Sequence, residues 1–146
     1  MIAVVPLRPE DRPAWQELFR GYNEFYGRGL TDELADRAWS EFQADERMHA
    51  LGARSEGRLA GIAHFLVHPS TTSADVCYLQ DLFTASDLRG RGIGRALIRG
   101  VTEWASAHAC SRVYWMTHET NATARRLYDR VAVHNGFLRY EIELAV

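Results

Sequence analysis

The most distinctive run of this chain reads Leu88-Arg89-Gly90-Arg91-Gly92-Ile93-Gly94-Arg95-Ala96-Leu97-Ile98. Glycines and arginines alternate in it, and an apolar helical pattern follows at once. Glycine allows backbone conformations that other residues avoid and lets a ligand approach the main chain closely. The first turn of a helix leaves N–H groups unpaired at the positive end of its dipole. The pattern therefore predicts a turn and helix start that bind a pyrophosphate, assisted by the arginines.

Two common nucleotide-binding motifs do not fit this run. A P-loop needs a lysine followed by Ser or Thr after its last glycine, and the chain has no such sequence. The dinucleotide motif G-x-G-x-x-G fails because Arg95 stands where its third glycine belongs. A surface turn with solvated arginines is the remaining alternative, because tight turns before helices often contain glycine.

Length and composition indicate one domain, 1–146, with an ordinary globular core. The net charge of -2 gives no general attraction to nucleic acid or to an acidic membrane. Cys77 and Cys110 have neither metal-ligand spacing nor the pattern of a disulfide framework, so buried reduced thiols are expected. The sequence shows no signal-peptide pattern and no apolar run of membrane-spanning length, so a cytoplasmic location is the default expectation.

Hydrophobic periodicity predicts the element order β-α-α-β-β-β-α-β-α-β, which implies a mixed sheet covered by helices. Up to the glycine-arginine run, we expect strand 2–7, a helix opened by Pro9-Glu10-Asp11, a second helix capped by Thr31, a hairpin of strands 49–54 and 59–67, and strand 76–84. After the run, we expect a helix with Ile93, Leu97, Val101, Ala105 and His108 on one face, strand 113–117, a helix from about Asn121 ended by Asn135-Gly136, and strand 137–146.

Two motifs at a fixed separation resemble the GCN5-related N-acetyltransferase (GNAT) superfamily. Its signature Gln/Arg-x-x-Gly-x-Gly/Ala is matched by Arg89, Gly92 and Gly94, and its second motif is matched by Asn121, Ala124, Tyr128 and Gly136-Phe137. The run 78–90 is similar to the polyamine acetyltransferases, and the run 117–128 to small histone and amino-acid acetyltransferases. The resemblance implies an α/β (α+β) GNAT fold, with a mixed, mostly antiparallel sheet of about six strands flanked by about four helices.

The same resemblance implies acetyl-CoA as co-substrate and no metal. Main-chain groups of Leu82, Phe83 and Thr84 would pair with the pantetheine arm like an added strand. The pyrophosphate would bind to the amides of Arg89, Gly90, Arg91, Gly92, Ile93, Gly94 and Arg95. Asn121 and Ala124, at the start of the last helix, would hold the arm near its sulfur. For Asn121, a plain helix N-cap is the alternative, and both roles are compatible.

The resemblance makes Tyr128 the expected general acid. A tyrosine with a pKa of about 10 is protonated at neutral pH and can donate to a thiolate of pKa roughly 8.5. The alternative is an aromatic residue that only packs beside Leu127. The segment between Tyr128 and Gly136 is longer than usual in the family. About four extra residues make one helical turn, so the helix is expected to lengthen with its faces in phase.

The group that takes the proton from the attacking amine is less evident. In the polyamine branch a glutamate on the strand before the glycine turn does this, but here Gln80 occupies that position and cannot act as a base. Asp81 is adjacent, although strand alternation directs it to the other face. Glu24, Glu119, or a water held by Gln80 and Tyr78 are the other candidates.

Tyr22, Asn23, Glu24 and Tyr26 form an aromatic-acidic cluster that suits a cationic amine. The alternatives are core packing for the two tyrosines and a solvated position for Glu24. His64 and His68 would stand roughly 13 Å apart on a strand, too far to share a metal ion. The expected function is transfer of an acetyl group to the primary amine of a small polyamine-like or amino-acid-like molecule, directly in a ternary complex. A protein lysine or histone-type acetyltransferase, a non-catalytic acyl-CoA-binding domain and a nucleic-acid binder are the alternatives. A homodimer is expected by analogy only.

Overall fold

A computed structural model describes residues 1–146, and the chain divides into two compact units, Met1–Met116 and Thr117–Val146. The first unit contains β1 (Ile2–Pro6), α1 (Arg12–Phe25), α2 (Asp32–Ala44), β2 (His49–Ser55), β3 (Arg58–His68), β4 (Val76–Thr84), α3 (Ile93–Ala107) and β5 (Arg112–Tyr114). The second unit contains α4 (Ala122–Val131). Short 3-10 turns at Pro9–Asp11 and Ser86–Leu88 precede α1 and the glycine-arginine run. None of the helices is long and apolar enough to cross a membrane.

The strands form one sheet in the order β1-β2-β3-β4-β5. Neighbouring strands are antiparallel except β4 and β5, which are parallel because α3 connects them as a crossover. The predicted mixed, mostly antiparallel α+β fold is therefore confirmed, with five strands instead of about six. The predicted hairpin is confirmed as well. Its turn residues Glu56 and Gly57 both have positive φ, 52° and 74°, as tight two-residue hairpin turns require.

Alternation along β3 separates the two faces of the sheet. Ile62 belongs to a buried cluster on the side of α1 and α2, together with Trp15, Leu18, Ala35, Trp39, Phe42, Leu59 and Ala85. Gly61 lies on the side of α3, where an added Cβ would stand 2.8 Å from Ile93 Cγ2 and 3.0 Å from Leu97 Cδ1. The absence of a side chain at Gly61 thus lets α3 pack directly on the strand.

The ends of α1 and α2 follow from local hydrogen bonds. Thr31 caps α2 as predicted, with its side chain accepting a hydrogen bond from the Leu34 N–H at 3.2 Å. The α-helix that Pro9-Glu10-Asp11 was expected to open begins only at Arg12, after the 3-10 turn. Asp11 is buried at this junction and accepts hydrogen bonds from the Arg8 N–H at 2.8 Å and Arg54 Nη1 at 2.6 Å.

The apolar face predicted for α3 is confirmed for four of its residues. Ile93, Leu97, Val101 and Ala105 are buried. His108 was expected on the same face, but it is exposed, and its ring stacks on Trp104 at 3.7 Å between centroids. It follows the last helical residue, so the helical periodicity no longer applies to it.

A β-bulge in β4 decides which of its polar side chains faces α1. His64 pairs with Asp81, but the next residue of β3, Phe65, pairs with Leu79, so Gln80 has no partner across the strand pair. Gln80 is exposed, whereas Asp81 is half-buried and reaches the side chain of His64. Asp81, and not Gln80, therefore lies on the side of the sheet that α1 covers.

The strand predicted at 113–117 is shorter in the structure and begins one residue earlier. β5 ends at Tyr114 and pairs only with Val76, Cys77 and Tyr78 of β4. Residues 79–84 of β4 therefore have a strand neighbour on the β3 side alone. Cys77 is buried and Cys110, which was also expected to be buried, is half-buried; both are free thiols.

The second unit differs most from the prediction. Asn121 caps α4, but the helix ends at Val131, so the expected extra turn toward Asn135-Gly136 is absent. Ala132 has an extended backbone, and the positive φ of Gly136, 82°, comes four residues too late to end the helix. The strand predicted at 137–146 is wrong: these residues are exposed and have no regular structure. A strand requires a hydrogen-bonded neighbour, and the sheet consists of β1 to β5 without residues 137–146.

Candidate active site

The glycine-arginine run forms an open, positively charged helix start. Gly90 and Gly92 have φ values of 78° and 83°, and no atom lies within 4 Å of where their Cβ would stand. The first α-helical bond joins the Ala96 N–H to the Gly92 carbonyl at 3.0 Å. The N–H groups of residues 93–95 precede it and have no acceptor within the helix. This arrangement fits a diphosphate, because main-chain donors and the positive end of α3 meet at an accessible surface.

Neighbouring side chains fix this run and add charge to it. Arg58 donates to both carboxylate oxygens of Asp87, at 2.6 and 3.0 Å, and so connects β3 to the turn before the run. These hydrogen bonds hold the pKa of Asp87 below its usual range. Arg89 lies over the Phe83 ring, 5.3 Å from its centroid. Arg91 and Arg95 are exposed, so both guanidinium groups remain accessible to an anion.

The free side of β4 adjoins the same run. Thr84, Phe83 and Leu82 pair with residues 61–63 of β3, and β5 ends before it reaches them on the other side. A strand with one unpaired edge presents main-chain donors and acceptors to an extended, amide-bearing ligand. The pantetheine arm of coenzyme A has this chemistry, so these residues fit the group predicted for them.

An aromatic and charged cluster lies on the α1 side of β4. Tyr22 is buried, with its ring 5.1 Å from Tyr26 and 6.1 Å from Phe83. Burial, and next the neighbouring Asp81 carboxylate, raise the pKa of the Tyr22 hydroxyl. Arg28 covers both tyrosines, its guanidinium carbon 5.7 Å from the Tyr22 centroid and 5.1 Å from that of Tyr26. Tyr22 is thus a core residue that also interacts with Asp81.

Behind Asp81 lies a fully buried histidine. The His64 side chain is 0% exposed, with Nδ1 2.9 Å from Asp81 Oδ2 and Nε2 2.9 Å from Trp15 Nε1. On sequence alone, His64 was considered only for a metal site shared with His68, which the strand spacing argues against, and neither Arg28 nor Trp15 was predicted as a site residue. A signal existed, because a histidine within an apolar strand must find hydrogen-bond partners when buried. No three His, Cys, Asp or Glu side chains in residues 1–146 are grouped to hold a metal ion.

Three predicted acceptor-site residues are not part of this cluster. Gln80 and Glu24 are exposed. Glu119 is exposed in the second unit, where its main-chain carbonyl accepts a hydrogen bond from Arg125 Nη1 at 2.9 Å. Asp81, in contrast, is half-buried and interacts with Tyr22.

In the second unit, Asn121 and Ala124 form the predicted cap. The Asn121 side chain accepts a hydrogen bond from the Ala124 N–H at 3.3 Å. Tyr128 lies half-buried on α4 beside Leu127. The N-cap role of Asn121 is confirmed, while the cofactor role of Asn121 and the acid role of Tyr128 stay predictions.

Comparison with known proteins decides the family. The profile of the Acetyltransferase (GNAT) family matches residues 14–132. This chain belongs to that family. The GNAT chain is also similar to the D-amino-acid N-acetyltransferase HPA3 of Saccharomyces cerevisiae, with 30% identity over 96% of this chain and 89% of the relative. It is therefore an N-acetyltransferase acting on amines, and its family uses acetyl-CoA.

Solved structures agree on the fold of this GNAT chain. The acetyltransferase AAC(6')-Iy, in complex with a bisubstrate analogue, superposes with a TM-score of 0.87 at 15% identity, covering 99% of each chain. A ribosomal-protein-alanine N-acetyltransferase from Brucella melitensis superposes with a TM-score of 0.79 at 22% identity, covering 99% of this chain and 100% of the other. These likenesses support the GNAT fold.

Proposed function

We propose that this acetyltransferase transfers the acetyl group of acetyl-CoA to the primary amine of a small amino-acid-like molecule, directly in a ternary complex. The observation that carries the proposal is the Tyr22 cluster, where the Asp81 carboxylate and the Arg28 guanidinium both interact with one buried tyrosine. An amino acid carries one cation and one anion. The cluster offers one partner for each of them.

The cofactor would be held by the first unit's open helix start and open strand edge. The main-chain donors of residues 89–95 would bind the diphosphate, and residues 82–84 would pair with the pantetheine arm. Asn121 and Ala124 are the proposed contacts near the sulfur. When bound, acetyl-CoA supplies the acetyl group already activated as a thioester.

Asp81 is the proposed acceptor for the proton that the ammonium must lose, directly or through a water. It replaces Gln80, which has no basic group and is exposed in the structure. The Tyr128 hydroxyl is the proposed donor of the proton that the departing sulfur requires, because a phenol is a weak acid that can donate a proton to a thiolate.

The charge pattern favours an amino acid over a polyamine. A polyamine carries only cations, and Arg28 would repel one of them. Arg28 is exposed, and its guanidinium lies over two tyrosine rings. That position suits a carboxylate, which a guanidinium can bind in a bidentate manner. The relative that is named a D-amino-acid N-acetyltransferase supports the same class.

The test is thiol release from acetyl-CoA with matched acceptors. Each amino acid, in D and L form, is compared with the amine that lacks only its carboxylate, beside polyamines, aminoglycosides and lysine peptides. We expect the amino acids to have the highest kcat/KM, and Arg28→Gln to remove most of their advantage. Arg37→Gln, an exposed arginine on α2, is the control and should leave the ranking unchanged.

Other outcomes would overturn the proposal. Preference for peptides would indicate a protein acetyltransferase. Preference for polyamines would show that Arg28 does not select the acceptor. Binding of acetyl-CoA without turnover of any amine would indicate a non-catalytic acyl-CoA-binding domain. The cytoplasmic location and the homodimer stay predictions.

A further inference from the structure

His64 is a polar side chain enclosed by an apolar core. The proposed reaction assigns it no role. Its side chain is 0% exposed, and its ring stacks on Phe42 at 4.2 Å and meets the edge of Phe19 at 5.0 Å between centroids. Burying an imidazole among aromatic rings destabilises a protein unless both nitrogens are hydrogen-bonded. Both nitrogens are bonded here, to Trp15 and to Asp81.

The hydrogen-bond partner of Nε2 determines whether Nδ1 of the imidazole is a donor or an acceptor. The Trp15 indole N–H is only a donor, so the nitrogen that it contacts, His64 Nε2, must keep its lone pair. A histidine with a lone pair on Nε2 is neutral and carries its proton on Nδ1. Nδ1 therefore donates to Asp81 Oδ2 at 2.9 Å. In this arrangement the histidine is a fixed donor and cannot act as a base.

We propose that His64 is a positioning residue that holds the Asp81 carboxylate oriented toward the amine. This inference rests on the proposed function, in which Asp81 accepts the proton of the acceptor. Asp81 is 14% exposed, with one oxygen bonded to His64 inside the core. The same carboxylate also interacts with the Tyr22 side chain, on the side of the sheet that α1 covers. A donor that is itself held in place by packing fixes the rotamer of the carboxylate to which it is bonded.

The charged and titratable groups around this carboxylate come from two elements. His64 faces it from β3, and Tyr22 faces it from α1. Tyr26 raises the pKa of the Tyr22 hydroxyl, and a hydrogen bond from Arg28 lowers it. The kinetic effect of each His64 variant is therefore compared with that of Tyr22→Phe, which separates the contribution of the phenol from that of the imidazole.

Two substitutions at His64 distinguish positioning from packing. His64→Asn places an amide N–H where Nδ1 stands, whereas His64→Leu fills a similar volume without any donor. We expect His64→Leu to lower kcat/KM for the amine about 10- to 100-fold, because a misplaced catalytic group slows the reaction by such factors. The KM for acetyl-CoA should stay unchanged. His64→Asn should recover most of the rate even if its melting temperature is lower.

A packing role would give a different pattern. Rates would then follow the melting temperatures, and His64→Asn would be at least as slow as His64→Leu. Unchanged kinetics in His64→Leu would overturn the inference while the proposed function remained. Failure of the unmodified enzyme to acetylate any amine would instead overturn the proposed function.

A measurement without turnover checks the hydrogen-bond geometry by itself. Long-range ¹H–¹⁵N correlation spectra at neutral pH should show His64 protonated at Nδ1 and unprotonated at Nε2. In Asp81→Asn the Nδ1–H signal should move upfield, because the charge-assisted hydrogen bond is lost. An Nε2–H tautomer, or no response to Asp81→Asn, would overturn the inference whether or not a substrate is known.

Discussion

The two units of this chain differ in how they are stabilised. Every buried residue belongs to residues 1–116, where five strands and three α-helices enclose aromatic and aliphatic side chains. Residues 117–146 contain one helix and no buried residue, yet they include Tyr128, the proposed proton donor. The comparison teaches that the residues expected to determine the rate need not be those that determine stability. The variants Tyr128→Phe, Leu97→Ala and Leu127→Ala test this separation.

The largest effect is expected from Tyr128→Phe. Loss of a general acid slows a reaction by about 10²- to 10⁴-fold. Removal of the same hydroxyl from α4, which contains no buried residue, should change the free energy of unfolding much less. Steady-state kinetics should show the fall in kcat, and calorimetric titration should show acetyl-CoA binding retained. Tyr140→Phe, an exposed tyrosine of the same unit, is the matched control. An unchanged kcat in Tyr128→Phe would remove this residue as the acid.

A pair of leucine substitutions compares the stability of the two units directly. Leu97 is 0% exposed on α3, and Leu127 is half-buried on α4. Leu97→Ala should lower the free energy of unfolding by about 2–5 kcal/mol, because it leaves a cavity under the sheet. Leu127→Ala should lower it by roughly 1 kcal/mol or less. Denaturant titration followed by fluorescence measures both, and equal losses would refute the distinction.

The buried carboxylate of Asp11 is expected to make the first unit less stable at low pH. Burial alone would raise its pKa, but hydrogen bonds from the Arg8 N–H and from Arg54 outweigh burial and lower it. Its stabilisation is therefore complete above the usual carboxyl pKa of about 3.9 and is lost as the pH falls through the lower folded value. Asp11→Asn should destabilise by about 1–3 kcal/mol at neutral pH, and this difference should shrink below about pH 4. Urea unfolding at several pH values measures the difference in the free energy of unfolding between the unmodified protein and Asp11→Asn. A difference that stays constant with pH would contradict the prediction.

The smallest effect concerns the thiols. Burial, and next Cys110, raise the pKa of Cys77 to about 12, so it should react with maleimide only when the protein unfolds. Cys110 is half-buried, and burial raises its pKa as well, so slow labelling is expected. Mass spectrometry of the native protein should find Cys110 modified first and activity little changed. Early modification of Cys77 would contradict its place in the core.

Much of the first unit could be predicted because its signals are local. The bounds of β4, the hairpin turn at Glu56-Gly57 and the Thr31 cap each depend on residues within one short segment. The glycine-arginine run was predicted for the same reason, since its turn and helix start are both encoded in consecutive residues.

The rest depends on pairing between distant segments. Gln80 is not a glycine, so nothing in the sequence marked the bulge that directs Asp81 toward His64. Residues 137–146 have the alternation of a strand, but they pair with no other strand in the structure. The sequence pattern cannot show whether a partner strand is present. The length of β5 likewise depends on where β4 stops accepting a partner, which its own residues do not show.

Gly61 has a consequence for how this enzyme could be altered. Ile93 Cγ2, Leu97 Cδ1 and the Phe83 carbonyl oxygen all lie 2.8–3.0 Å from where its Cβ would be. A methyl group at this position would press the first turn of α3 away from β3 and would shift the helix start that is proposed to bind the diphosphate. The distance between the start of α3 and residues 82–84 of β4 thus depends on the absence of a side chain at Gly61. Gly61→Ala would change this distance without changing any charge.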